Sequence, residues 1–72
     1  MDLELSSHAE RRMAMRGISR ADIESALSRV IRTTPGQAGS VWVHGYASGG
    51  RVLKVCVSAT DHRKVITAAW PD

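Results

Sequence analysis

Phenylalanine is absent from the 72 residues, and the only aromatics are Trp42, Tyr46 and Trp70. A core built from this chain is therefore aliphatic. Cysteine occurs once, at Cys56, which excludes an internal disulfide and fits a reducing cytoplasm. One cysteine among scattered histidines also leaves no structural zinc pattern. No apolar run approaches the roughly 20 residues that cross a bilayer. The opening Met1-Asp2-Leu3-Glu4 lacks the basic start of a signal peptide. A cytoplasmic protein with no membrane partner, no metal and no cofactor is expected. The length is too short for a doubly wound nucleotide fold, a (β/α)8 barrel or a two-domain enzyme with a deep cleft, so residues 1–72 read as one domain. A chain this small buries only about 60% of its unfolded surface, and any site on it is shallow and confined to one face.

What is present is 43% hydrophobic, with 10 Lys and Arg against 7 Asp and Glu, giving a formal net charge of +3. That balance leans toward polyanions: nucleic acid or an acidic protein.

Residues 1–5 alternate weakly, as a lead-in or a short edge strand. Ser7-His8-Ala9-Glu10 has the form of a capping box, and a helix over 8–16 follows, closed by Gly17. Ser19-Arg20-Ala21-Asp22 opens a second helix. Its apolar positions Ile23, Ala26, Leu27, Val30 and Ile31 fall on one stripe. Ile18 belongs at the corner of this αα-hairpin. Residues 33–40 read as a breaker segment. Beyond them the period changes to two. Strands are expected over 41–47, 52–59 and 65–70, joined by turns at Ser48-Gly49-Gly50-Arg51 and Asp61-His62-Arg63. The expected fold class is α+β, ordered ααβββ: two N-terminal helices packed on one face of a three-stranded antiparallel meander. Leu53, Val55, Val57 and Ala59 form one apolar face, continued by Ile66, Ala68 and Trp70. The other face is mixed and open to a partner or substrate.

Two clusters carry chemistry. On the first helix, His8, Arg12 and Arg16 recur every four residues, with Arg11 one step around. Like charges at that spacing oppose the helix, and an anion bridging them gives the pattern a purpose. Arginine forks match phosphate oxygens, and a histidine near a helix N-terminus is favoured as neutral imidazole, a general base. The competing reading is a solvated face, with Arg12 paired to Glu10, Asp22 or the C-terminal carboxylate. On the strands, Trp42, His44 and Tyr46 share the face opposite Val41 and Val43, with Lys54 beside them and Arg51 in the turn. Trp42 and Tyr46 can stack on bases. The competing register places the aromatics in the core. Cys56 reads as a packing residue and His62 as a solvated turn residue. Metal-independent RNA cleavage needs a base for the 2′-hydroxyl, cations for the phosphorane and an acid for the 5′ oxygen. Three histidines, one tyrosine and ten Lys and Arg can supply that set. The clustered carboxylates of a two-metal nuclease are missing.

The segment from Ser7 to Ser19, SHAERRMAMRGIS, resembles the H-A-x-x-R-M-x-x-R-G-I-S opening of the DUF4258 family. The ending Lys64-Val65-Ile66-Thr67-Ala68-Ala69-Trp70 is similar to that family's last strand, with Ala69 where an aromatic is usual. The resemblance runs from about residue 5 to 70. It implies a small domain akin to the RelE/ParE- and BrnT-like toxins, which include ribonucleases encoded beside an antitoxin. The implied catalytic residues are His8, Arg12 and Arg16; Arg11, His44, Tyr46, Arg51 and Lys54 are candidates for substrate binding. The implied partners are RNA or the ribosome and a cognate antitoxin. The alternative is a binding module for RNA or an acidic protein, without turnover. An open sheet edge also admits a homodimer.

Overall fold

The computed structural model describes residues 2–71. Its elements run β1 (Glu4–Leu5), α1 (Ser7–Arg16), α2 (Arg20–Ser28), β2 (Val30–Pro35), β3 (Ser40–Tyr46), β4 (Val52–Ser58) and β5 (Lys64–Ala69). All five strands join one sheet in the order β1-β5-β4-β3-β2. The β1–β5 pair is parallel and the others are antiparallel. The expected three-stranded antiparallel meander is thereby corrected to a five-stranded mixed sheet, although the helical hairpin does cover one face.

Both additional strands have local causes. Val30-Ile31-Arg32-Thr33-Thr34 is dense in β-branched residues, which favour strands. The helix stripe expected to reach Ile31 in fact stops at Ser28. Arg29 leaves helical geometry at φ −121°, and its amide closes the last turn on the Ser25 carbonyl. Val30 and Ile31 belong to β2, where they are exposed. The breaker segment accordingly begins at Gly36 rather than Thr33, and Pro35 sits at the end of an edge strand, where a missing N–H is tolerated. At the other edge, Glu4 and Leu5 align beside Lys64 and Val65, 60 residues along the chain.

Ser6, not Ser7, caps α1: its hydroxyl accepts from the Ala9 amide at 3.0 Å, and Ser7 is the first helical residue. The expected Ser7–Glu10 box therefore does not form: the cap lies one residue earlier, and the residue three beyond it, Ala9, has no side-chain acceptor to return the bond. Gly17 takes the left-handed conformation (φ 66°) that ends the helix. At α2, Ser19 and Asp22 form a reciprocal capping box, each side chain bonded to the other's amide at 3.0 Å.

The core lies between the helices and one sheet face. Ala9, Met13, Ile18, Ile23 and Ala26 meet Val43, Leu53, Val55, Val57, Val65 and Ala68. α1 packs on β5, and α2 on β3 and β4. Gly45 turns inward beneath α2, where a Cβ would strike the Ala26 carbonyl. On β5 the expected parity breaks. A register shift between Cys56 and Val57 turns Val65 and Ala68 inward, and leaves Ile66 exposed on the open side. Ala68 alone keeps its expected core position on that strand; Trp70 lies just past β5, partly buried against the core.

Candidate functional site

The candidate residues divide between two places. On α1, His8, Arg11, Arg12 and Met15 line a shallow depression, with His8 and Arg11 exposed and Arg12 half-buried. Arg16, one turn further on, does not join them. Its Nη1 donates to the Ala68 carbonyl at 2.7 Å, while Trp70 Nε1 donates to the Arg16 carbonyl at 2.7 Å. Among the described residues the ion pairs are Arg20–Glu24 and Arg63–Asp61. The pairing of Arg12 with Glu10 or Asp22 therefore does not form. The carboxylate of Asp72 lies outside the described residues. Asp22 is engaged with Ser19 and with the amide and hydroxyl of Ser48. These hydrogen bonds, that of the Ser48 hydroxyl foremost, hold its carboxyl below the usual carboxylate range.

The second place is the sheet face turned away from the helices. With Val43 and Gly45 buried, alternation puts Trp42, His44 and Tyr46 on the open side. Trp42 is half-buried and Tyr46 exposed, so the open register holds rather than the reversed one. The register aligns two rows across four strands. One runs Thr34, Trp42, Cys56, Thr67; the next runs Arg32, His44, Lys54, Ala69. Arg32, His44 and Lys54 of the second row floor an open groove of about 730 Å³, with Arg51 at its end and Ile31 and Val52 as apolar flanks. Arg32 was not a sequence candidate, because residues 30–35 read as helix end and breaker. The β-branched run around it is the signal that exposes it.

Four cationic or titratable groups thus converge on one shallow groove, and no carboxylate lines it among the described residues. Two of the cations rest on aromatic rings. Lys54 Nζ lies 4.8 Å from the Trp42 ring centre, and the Arg51 guanidinium 4.0 Å from that of Trp70. Such contacts, each worth about 0.5–2 kcal/mol, offset part of the mutual repulsion. Arg29 stands 5.3 Å over Tyr46 in the same manner. His44 Nε2 lies 3.0 Å from Thr34 Oγ1. Burial, followed by the charges of Arg32 and Lys54, depresses its pKa below the ordinary 6.5. At neutral pH the groove therefore combines fixed positive charge with an uncharged imidazole that can accept a proton.

Cys56 is buried on the same face next to Trp42. His62 is exposed in the β4–β5 turn, beside a small depression lined by Leu27 and Val30. Among the described residues no three His, Cys, Asp or Glu side chains come together as a metal site. None of the described helices is long and apolar enough to cross a membrane.

A family model described as "Domain of unknown function (DUF4258)" matches residues 5–70. No curated protein and no solved structure matches the chain.

Proposed function

The chain belongs to the DUF4258 family, whose description assigns no activity, and from its own residues we propose that the open face of the sheet binds RNA and cleaves it without a metal ion. The observation that carries this reading is the row Arg32, His44, Lys54, closed by Arg51. It joins three permanent cations to a histidine biased toward its neutral form.

In the proposed reaction, the His44 imidazole takes the proton of a ribose 2′-hydroxyl. With Nε2 protonated and donating to Thr34, Nδ1 keeps the free lone pair. The 2′ oxygen attacks the adjacent phosphorus, and the bond from phosphorus to the 5′ oxygen breaks. The products are a 2′,3′-cyclic phosphate and a 5′-hydroxyl, whose proton comes from solvent on the open side of the groove. Arg32, Arg51 and Lys54 bind the phosphate and stabilise the charge that builds on its oxygens. Tyr46, two residues along β3 from His44, flanks the row. His8, Arg11 and Arg12 line a separate depression on α1, which packs against the opposite face of the sheet, and take no part in this reaction.

This reading agrees with the resemblance to the RelE/ParE- and BrnT-like toxins. A cognate antitoxin then acts by laying an acidic segment over the same groove, in competition with RNA. The competing reading, binding without turnover, uses the same cations and leaves His44 without a chemical role.

Incubation of short labelled RNA with the purified protein in excess chelator tests the proposal. Wild type is expected to release fragments ending in 2′,3′-cyclic phosphate. His44→Ala is expected to lose about 10²- to 10⁴-fold of the rate, the usual contribution of a general base. RNA that is bound but left intact by wild type selects the binding module, and equal cleavage by wild type and His44→Ala refutes the assignment.

A further inference from the structure

A second depression adjoins the groove along β3. It encloses about 390 Å³ and has Trp42 as an aromatic wall, with Gln37, Ser40 and Thr67 contributing polar groups beside Cys56 and Ile66. Trp42 stands one row from His44 on the same face of the strand, which places the depression about 7 Å from the proposed phosphate row. We propose that this depression is a nucleobase subsite, and that the RNA taken by the groove is single-stranded, with one unpaired base stacked on Trp42. The inference rests on the RNA reading above and adds to it the class of RNA and the residues that hold the base.

Three features support it. A half-buried indole that walls an open depression offers a stacking surface that every base can use. A carboxamide and two hydroxyls can donate and accept at the edge of a base. Ser40 already donates its hydroxyl proton to the Gln37 carbonyl at 2.8 Å, which leaves the oxygen lone pairs to accept from a base amino group. A base whose edge is paired and whose faces are stacked within a duplex can reach neither the ring nor these groups, so the subsite selects unpaired RNA.

Lys54 couples the two sites. Its ammonium lies over Trp42, 4.8 Å from the ring centre, while its backbone position is opposite His44. Lys54 lines the phosphate groove and not the depression, so it touches the ring of the base site while its charge serves the phosphate. Arg51 differs, because the Trp70 ring beneath it is tethered through Nε1 to the Arg16 carbonyl. It therefore serves as a fixed clamp at the far end of the groove.

The chain has two tryptophans, so Trp70→Phe leaves Trp42 as the sole indole emitter and Trp42→Phe leaves Trp70. Emission is followed on titration with single-stranded oligoribonucleotides, duplex RNA of the same sequence and inorganic polyphosphate, with binding measured separately by anisotropy or displacement of a labelled oligonucleotide. Saturable quenching of Trp42 by single-stranded RNA is expected, with neither polyphosphate nor duplex reproducing it even where they bind. Trp42→Leu is expected to weaken single-stranded RNA by about fivefold to a hundredfold, the range for loss of one base–aromatic stack, and to leave polyphosphate affinity within twofold. Trp42→Phe should recover most of the loss, and Thr67→Val and Gln37→Ala should alter preference among homopolymers. Should Trp70→Phe not fold, the difference between wild type and Trp42→Phe gives the same signal. RNA binding that leaves Trp42 emission unchanged overturns the base subsite while the RNA reading stands; absence of RNA binding overturns both.

Discussion

The indole N–H of Trp70 meets the carbonyl of Arg16 at 2.7 Å, and the guanidinium of Arg16 returns to the carbonyl of Ala68 at the same distance. The two residues thus clasp the C-terminal end of α1 to the end of β5. A helix-end carbonyl gains the donor it would otherwise lack. The Trp70 ring is fixed in the position where Arg51 stacks on it, so the clasp also sets one end of the groove.

Arg16→Ala is therefore expected to lower folding stability by about 1 kcal/mol, the scale of one lost hydrogen bond from a partly exposed side chain. RNA affinity of the folded variant should stay within threefold of wild type. Urea denaturation and a binding titration on the same preparation check both. Undiminished stability with abolished binding would make Arg16 a phosphate ligand instead.

Gly45→Ala is expected to cost about 1–3 kcal/mol, the range for an overpacked core, because the added methyl meets the Ala26 carbonyl. Gly49→Ala, where a Cβ would meet nothing within 4 Å, should shift the thermal midpoint by much less. Comparison of the two melting curves isolates the close approach of α2 to β3.

Much of this architecture was legible in the chain. The αα-hairpin followed from Gly17, from Ser19 with Asp22, and from the spacing of Ile23, Ala26 and Leu27. The alternation of Trp42, His44 and Tyr46 put the three on one face of β3, but did not say whether that face is open or buried; the burial of Val43 and Gly45 decides it. β2 was hidden because Val30 and Ile31 continue that helical spacing by coincidence, and no glycine or proline marks the stop at Ser28. β1 was hidden for a different reason: a two-residue strand has no period, and its partner lies 60 residues away. The inward turn of Val65 depends on a register shift in β4–β5 pairing, which no local pattern encodes. Because β2 was read as helix and breaker, Arg32 and the His44–Thr34 contact were lost with it. On α1 the four-residue spacing located His8 and Arg12 together, but not the carbonyl of Ala68 that draws Arg16 aside.

The depressed pKa of His44 has a definite sign in solution. Its imidazole should titrate below 6.5 by NMR, and Arg32→Ala or Lys54→Ala should each move the inflection upward by removing a neighbouring positive charge. The unfolded chain takes the proton more readily than the folded one. This histidine's contribution to stability is thus present above about pH 6.5 and is lost as the pH falls through that value toward the folded-state inflection. In cleavage assays kcat/KM should rise as the pH increases to an inflection below 6.5 and stay level above it, the profile of a base that works deprotonated. An inflection above 6.5 would mean that the groove holds an anionic neighbour, contrary to the charge described.

The central claim is that RNA lies on the open face of the sheet. Titration of isotopically labelled protein with a single-stranded oligoribonucleotide, read residue by residue as NMR shift changes, tests it most directly. The largest changes are expected at Arg32, Trp42, His44, Arg51 and Lys54, with affinity falling steeply as salt rises. Changes confined to His8–Met15 on α1, with the sheet unperturbed, would contradict it.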